Sequence, residues 1–464
     1  MKHGGFCRVG ISVAVAGALS AGASQAHASA FALQEQNASG LGTAYAGAAA
    51  AAEDASTIYF NPAGMSLLPG GKQFVVGVDL IEPSEKFGDN GSLPSGSGIP
   101  IGSAVRPLGG NGGNAGSLAP VPHLYFAMDG GRNWKFGVGM GAPFGLKTEY
   151  SSDWIGRFQG IKSSIETINI NPSVSYKAND KVSLGFGLSY QTIDAELTQA
   201  VNYVASAFGG VLKATGSAAT AGAVAGAIPA ANAEGSLNVE GSDSAWGYNF
   251  GAMFALSPMT RLGVAYRSAV KYKITGTADF SGVPPGLPAA VAAGLSGGNV
   301  SVDIKMPDTF SLALSHQPDQ KWTVLGDLTW TGWAKIEELR IVREGGSTLG
   351  VTPENFRNTL RVGVGAIYRY NDKWSSKAGL AYDQTPVNDV DRTPRLPDEG
   401  RTWLSIGAQY RPSKNTTIDI SYAHLFVKDS SINQTAGNVA GYGKLAGNYE
   451  NSVDILGVQF GYRF

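Results

Sequence analysis

The stretch that decides the fold is LGVQFGYRF, residues 456–464 at the carboxyl end of the chain. Its apolar side chains take every second position, and they are Leu456, Val458, Phe460, Tyr462 and Phe464. An alternation of period two places one set of side chains on each face of a β-strand. A strand with one apolar and one polar face that ends on an aromatic residue is typical of a bacterial outer-membrane barrel, with lipid outside and a polar interior.

The amino end carries the pattern of an export signal. Lys2 and Arg8 form a basic start, a short apolar core follows, and 26–28 (AHA) is a small-x-small cleavage site. Residues 1–28 are therefore predicted to be a secretory signal peptide. The single cysteine, Cys7, lies within this segment, so no disulfide is expected in the mature chain.

Composition and charge narrow the class of protein. The 464 residues include 64 glycines, only 15% are charged, and the formal net charge is −1. A nearly neutral chain is not expected to bind nucleic acid. Closed membrane barrels have this composition because outward apolar residues are offset by inward glycines and polar groups, although a large soluble β-protein remains possible on composition alone.

Segments of period two predict about fourteen strands, and an even number is expected of a single-chain bacterial barrel. They lie at 72–83, 121–130, 133–150, 161–178, 181–198, 243–257, 260–279, 301–317, 321–342, 357–370, 373–385, 400–411, 415–428 and 451–464. Short turns such as 129–132 alternate strictly with long loops, the longest being 84–120 and 199–242. This alternation favours a transmembrane antiparallel barrel over a soluble sandwich and places both barrel ends on the periplasmic side.

The same alternation predicts which side chains point into the lumen. In the seventh strand the predicted outward set is Leu262, Val264, Tyr266, Val270 and Tyr272. Arg267, Lys271 and Arg361 are predicted to point inward, where they are candidates to bind a ligand carboxylate. The alternative is a structural role in ion pairs with the inward carboxylates Asp327 and Asp383.

Residues 29–71 fit no barrel strand. They are small and apolar around 44–52, and Asn61-Pro62 supplies turn residues. Because the segment carries too little charge for a solvated periplasmic tail, we expect it to fold as a hatch that plugs the lumen. The barrel itself is then predicted to cover 72–464.

Two of the long outer loops, 199–242 and 280–300, are unusually apolar. The candidate ligand-binding side chains in them are Tyr203, Phe208, Val211, Leu212, Leu287 and Val291. Exposed apolar surface usually marks a binding site, so these loops are predicted to capture lipid-like molecules. The alternative is a cluster of side chains that buries itself.

The third strand contains the run GMGAPFG at 139–145. Proline cannot donate to a ladder, and closely spaced glycines permit a bulge. The run is therefore predicted to kink and to break pairing with a neighbouring strand, with Gly141, Pro143, Phe144 and Gly145 at the kink. In a closed barrel that break is either a hole in the wall or a harmless bulge near the rim.

At this point the chain resembles the FadL/TodX family of outer-membrane transporters for hydrophobic compounds. The motifs that carry the resemblance are FALQEQ at 31–36, SGLG at 39–42, NPA at 61–63, FGLKTEY at 144–150, TGW at 331–333, LPD at 396–398 and RTW at 401–403. The resemblance implies a fourteen-stranded barrel plugged by a hatch that includes Phe31, Asn61, Pro62 and Ala63. It also implies a ligand that leaves sideways through a gap at strand three.

We therefore expect a passive diffusion channel for hydrophobic compounds, with long-chain fatty acids as the first candidate. It would be a monomer in the outer membrane of a Gram-negative bacterium, in contact with lipid and lipopolysaccharide. Gln199 stands where some fatty-acid members carry a basic residue, which keeps neutral aromatic hydrocarbons open as ligands. A general porin and an adhesin barrel are further alternatives. The sequence contains no His-Glu-x-x-His motif and no cysteine pair, so we do not expect an enzyme, a cofactor or a metal.

Overall fold

The structure, a computed structural model, describes residues 30–435 and 441–464. The predicted signal peptide, 1–28, lies outside the described residues. Fourteen antiparallel strands form one closed sheet, so the predicted barrel is confirmed. The strands are β1 Lys72–Asp89, β2 Ala119–Asp129, β3 Trp134–Gly141 with Gly145–Glu149, β4 Lys162–Lys177, β5 Val182–Asn202, β6 Glu234–Ser257, β7 Thr260–Arg267 with Val270–Ser281, β8 Gly298–Met306 with Thr309–His316, β9 Trp322–Thr331 with Glu338–Arg343, β10 Thr348–Pro353 with Thr359–Arg369, β11 Trp374–Asp383, β12 Arg401–Ser413, β13 Thr416–Val427 with Ser430–Gln434, and β14 Leu445–Arg463.

The carboxyl-terminal strand closes the barrel against the first strand. β14 pairs with β1 from Gln73 opposite Arg463 to Asp89 opposite Gly447. Its outward Val458 is 43% exposed, whereas the inward Gln459 is 1% exposed, as the alternation requires. Several strands run further than predicted; β6 begins at Glu234 instead of 243 because the ladder continues beyond the lipid-facing stretch that carries the alternating pattern.

Short helices lie before the barrel and in its loops. In the amino-terminal segment they are α1 Ala38–Leu41, α2 Ala48–Ala51, α3 Thr57–Phe60 and a 3₁₀ turn at Pro62–Leu67. The loops carry α4 Tyr203–Thr215, α5 Ala218–Gly226 and α6 Ala289–Gly294, with 3₁₀ turns at Gly102–Ala104, Ala230–Asn232 and Trp333–Lys335. No helix in the described part of the chain is long and apolar enough to cross a membrane.

Residues 30–71 lie inside the barrel and contact its wall on several sides. α1 packs against β12, β13 and β14, and α2 packs against β7 and β8. Inward glycines make this approach possible: a Cβ on Gly263 would lie 1.9 Å from the Ala49 carbonyl oxygen, and one on Gly379 would lie 2.1 Å from that of Thr43. These inward glycines therefore seat the backbone of this segment.

β7 reverses its faces part-way along its length. Asn249 of β6 pairs with Arg267, but Ser242 pairs with Thr275, so the register between the two strands shifts by one residue. Above the shift Tyr272 is fully buried, whereas Lys271 is exposed. A one-residue bulge turns every later side chain to the opposite face. The prediction that Lys271 points into the lumen is therefore wrong, and so is the outward assignment of Val270 and Tyr272.

Candidate functional site

The lumen holds two of the three basic residues predicted there, Arg267 and Arg361. Arg361 is buried; its Nη1 lies 3.4 Å from Oδ2 of Asp327, and its Nη2 donates to the carbonyl of Ala44. This side chain therefore joins β10 to β9 and to the amino-terminal segment. The contacts of Arg361 therefore fit the alternative prediction, in which this residue forms a structural ion pair with Asp327.

Arg267 has a different environment. Its Nη1 donates to Ser189 Oγ at 3.1 Å and its Nη2 donates to the Tyr59 carbonyl at 2.8 Å. The guanidinium carbon stands 4.2 Å from the centre of the Tyr59 ring. Within the described residues no carboxylate pairs with this guanidinium, so its positive charge is held only by neutral groups. A half-buried cation without a counter-ion is a natural place for an anionic ligand group.

Two small cavities meet at Arg267. The larger, of about 70 Å³, is lined by Tyr45, Tyr59, Phe60, Asn249, Asp327 and Arg361 among others. The smaller, of about 40 Å³, lies toward the third strand and is lined by Leu33, Tyr59, Phe144, Gln191, Val270 and Thr331 among others. The lumen therefore offers aromatic and aliphatic surface on both sides of one free cation.

The third strand is kinked at the predicted run. Its two pieces end at Gly141 and begin again at Gly145. The lower piece pairs with β2 up to Met140, whereas the upper piece pairs with β4 only. As a result, 119–123 of β2 and 145–149 of β3 do not pair with each other, and the wall has a gap between these two strands.

Backbone groups at the kink are bonded to other parts of the protein and are not left free. Pro143 accepts a hydrogen bond from the Leu33 amide at 2.9 Å, and the Gly145 amide donates to the Phe31 carbonyl at 2.9 Å. Thr167 of β4 bonds both the amide and the carbonyl of Phe144. The predicted break in pairing with the neighbouring strand β2 is observed, and residues 31–33 run along the kink as a short extended segment.

Phe144 turns into the lumen and joins an aromatic cluster. Its ring centre lies 6.1 Å from that of Phe31 and 6.2 Å from that of Trp333, and Phe31 and Trp333 are 4.9 Å apart. Trp333 belongs to the 3₁₀ turn that interrupts β9. Three elements therefore meet here: the amino-terminal segment, the kink and a distant part of the wall.

A third cavity, of about 130 Å³, lies at the gap. It is lined by the upper piece of β3, by β1 and β12–β14, and by residues 30–33. Apolar side chains such as Leu33, Leu146 and Trp403 share its surface with Arg401, which is paired with Asp398 at 3.2 Å.

The Asn-Pro-Ala element holds the inner segment to the wall. Asn61 is fully buried; its Nδ2 donates to the carbonyls of Ala49 at 2.8 Å and of Ala252 at 3.1 Å, and its Oδ1 accepts from the amide of Ala63. Pro62 starts the 3₁₀ turn, where its missing amide costs nothing. The side chain of Asn61 thus bridges α2, the 3₁₀ turn and β6.

The apolar loop side chains pack against one another. Tyr203, Phe208 and Val211 of α4 and Val291 of α6 are buried in one cluster, and Leu212 and Leu287 are partly buried against it. The prediction that these loops expose an apolar surface is therefore wrong, because α4, α5 and α6 cover each other's apolar faces. A role of these residues in ligand capture stays a prediction.

Sequence reasoning missed two features near these sites. Pro120 and Pro122 occupy the unpaired stretch of β2, and since proline has no N–H, this edge presents fewer free donors. The run PVP in a predicted strand was an available signal. Arg395, from the loop before β12, donates to Gln199 Oε1 at 2.9 Å and to Ser163 Oγ at 3.0 Å, so a basic group stands beside Gln199 after all.

The fold is a closed barrel with an internal plug and a kinked third strand, and aromatic and aliphatic side chains share the lumen cavities with polar ones. These features define an outer-membrane channel for hydrophobic compounds. Residues 19–464 match the family described as "Outer membrane protein transport protein (OMPP1/FadL/TodX)", and the chain belongs to that family. It is therefore an integral protein of the outer membrane of a Gram-negative bacterium and transports hydrophobic compounds.

Relatives agree with this assignment. The chain is 30% identical to outer membrane protein P1 of Haemophilus influenzae over 381 residues, which cover 81% of each chain. It is 26% identical to the long-chain fatty acid transport protein of Escherichia coli K12 over 423 residues, covering 89% of each. The crystal structure of a Pseudomonas aeruginosa FadL homologue superimposes with a TM-score of 0.84 at 26% identity, over 94% of this chain and all of that one. The P. putida toluene transporter TodX, at 20% identity and a TM-score of 0.62, shares the fold.

Proposed function

We propose that this protein is a passive channel for long-chain fatty acids, with the carboxylate bound at Arg267. The observation that carries the proposal is the cation itself: Arg267 borders both lumen cavities and has no described carboxylate partner. A neutral hydrocarbon would give this charge no counter-ion. The fatty-acid transport proteins among the relatives support the same ligand class.

The proposed path leads from the lumen to the gap between β2 and β3. Ala32 and Leu33 line both the cavity beside Arg267 and the cavity at the gap, so the two spaces are neighbours. Movement of residues 31–33 would join the two spaces and open the wall to the outer leaflet of the membrane. An acyl chain that leaves sideways never has to be solvated by water along its whole length, which favours this route.

The experiment compares binding of a long-chain fatty acid and of the alcohol of the same chain length to purified Arg267→Gln protein. A hydrogen bond to a charged group contributes about 1.5–3 kcal/mol, so acid binding should weaken about 10- to 150-fold. Alcohol binding should not change. Arg369→Gln, the same substitution at an exposed position at the far end of β10, is the control and should bind both ligands as the parent does.

Two results would contradict the proposal. Equal weakening of acid and alcohol binding would mean that Arg267 supports the fold and does not recognise a carboxylate. Tighter binding of toluene than of the fatty acid by the parent protein would favour the aromatic-hydrocarbon alternative.

A further inference from the structure

The outer wall carries a cluster of lysines where β7 and β8 reverse their faces. Above the bulge, Val270 and Tyr272 are buried in the lumen, and Lys271 and Lys273 alternate with them on the outer surface. On β8, Met306 is buried while the neighbouring Lys305 is exposed. The bulge thus moves positive charge from the lumen to the outside of the barrel.

The lysines face each other across the ladder. Lys271 pairs directly with Lys305, and Lys273 pairs with Asp303. Side chains directly opposite in an antiparallel pair have Cβ atoms about 5 Å apart, and like charges there repel each other. Among the described residues on this part of the wall, Lys335 forms an ion pair with Asp308. Neither Lys271 nor Lys305 forms an ion pair with a described residue. Asp303 and Asp243, whose Oδ2 accepts from the Lys273 amide, lie beside Lys273, whereas Lys271 and Lys305 lack a paired anion among the described residues.

The height of the cluster indicates where that anion comes from. Trp246 and Tyr248 of the neighbouring β6 are 66% and 42% exposed, and the Tyr248 ring contacts that of Tyr266 on β7. Exposed aromatic residues of this kind mark the boundary between hydrocarbon and headgroups in a membrane barrel. The β6–β7 register brings Lys271 beside the Trp246 region, so the lysines stand at the level of the lipid headgroups.

We propose that Lys271, Lys273 and Lys305 bind the phosphate groups of a phosphorylated glycolipid, of the lipid A type, in the outer leaflet. Several ammonium groups within reach of one another match a headgroup that carries more than one phosphate. With Asp303 and Asp243 beside them, the three lysines still carry net positive charge. The proposal concerns the outer wall and is independent of the ligand transported through the lumen.

The test measures binding of lipid A to the full-length protein in detergent, for Lys271→Gln/Lys305→Gln and for the parent. A lysine near an anionic surface contributes enough that losing two should weaken binding about 30-fold. The control is Lys181→Gln/Lys321→Gln, which removes the same charge from exposed residues outside the cluster, and it should bind as the parent does. Lys271→Arg/Lys305→Arg should retain binding because the charge is kept.

The lipid species provide the remaining comparison. Dephosphorylated lipid A should bind the parent protein as weakly as intact lipid A binds the double Gln variant. Equal binding of lipid A by the parent and the double Gln variant would overturn the proposal, as would equal binding of phosphorylated and dephosphorylated lipid. Full displacement of lipid A by inorganic phosphate would show a general anion site and would also overturn the assignment to a glycolipid.

Discussion

A methyl group added to Gly379 should loosen the plug without harming the barrel. The Cβ of Gly379→Ala would lie 2.1 Å from both the carbonyl carbon and the carbonyl oxygen of Thr43. Ordinary contact begins near 3.4 Å, so the backbone at Thr43 has to retreat by about 1 Å. Gly379 lies on an inward position of β11, and its own ladder hydrogen bonds need not change.

The cost of such overpacking is about 1–3 kcal/mol. This would shift the balance between the seated and displaced plug about 5- to 150-fold toward displacement. Ion conductance in a planar bilayer should therefore rise, with more frequent openings, while thermal unfolding of the barrel changes little. The control is Gly326→Ala, whose Cβ would have only the Gly363 carbonyl within 4 Å, at 3.7 Å. If Gly379→Ala conducts no more than Gly326→Ala, the inner segment does not limit passage through the lumen.

Three further predictions concern the loops, the kink and Glu35. Replacing Phe208, Val211 and Leu212 with Ser should destabilise the packed loops by a few kcal/mol, since two of these side chains are buried. The change should also lower uptake at low ligand concentration. Limited proteolysis would measure the first effect and an uptake assay the second, and unchanged uptake would exclude a role in ligand capture. Gly141→Val with Pro143→Thr should restore pairing in β3 and abolish fatty-acid uptake at unchanged surface expression, whereas uptake at the parent rate would move the exit elsewhere. Burial raises the pKa of Glu35 to about 7, although Arg401 opposes this shift. The free energy that holds the plug in place should therefore be largest below pH about 4.5, fall by up to about 3 kcal/mol as the pH rises to about 7, and stay constant above that pH. The conductance of the Glu35→Gln variant should not show this pH dependence.

The strand order and the closure could be predicted because each lipid-facing residue is apolar and alternates with a small or polar one. The face reversal at Lys271 could not. Val270 and Tyr272 continue, above the bulge, the same apolar alternation that Leu262, Val264 and Tyr266 show below it. Hydrophobicity alone does not say whether an apolar face meets lipid or an apolar part of the lumen. The one-residue shift opposite Ser268 decides between them, and it leaves no mark on the periodicity.

The candidate site was predictable where it depends on backbone chemistry and less so where it depends on long-range contacts. Pro143 and its neighbouring glycines indicated the kink directly. That Arg361 pairs with Asp327, whereas Arg267 has no such partner among the described residues, depends on which strands lie side by side and on where the inner segment passes. The self-packing of the loop helices was equally hidden, because an apolar helix looks the same whether it is exposed or covered.

The pairing of residues 31–33 with the kinked strand has a consequence for how barrels behave toward one another. A gap in a barrel wall creates two free strand edges, and free edges invite pairing with another chain. Here one of those edges is occupied by the protein's own amino-terminal residues through two backbone hydrogen bonds at Pro143 and Gly145. A chain shortened past Leu33 would expose that edge within the membrane, and two such barrels could then associate edge to edge. The same few residues that close the lateral gap thus also protect the barrel from self-association.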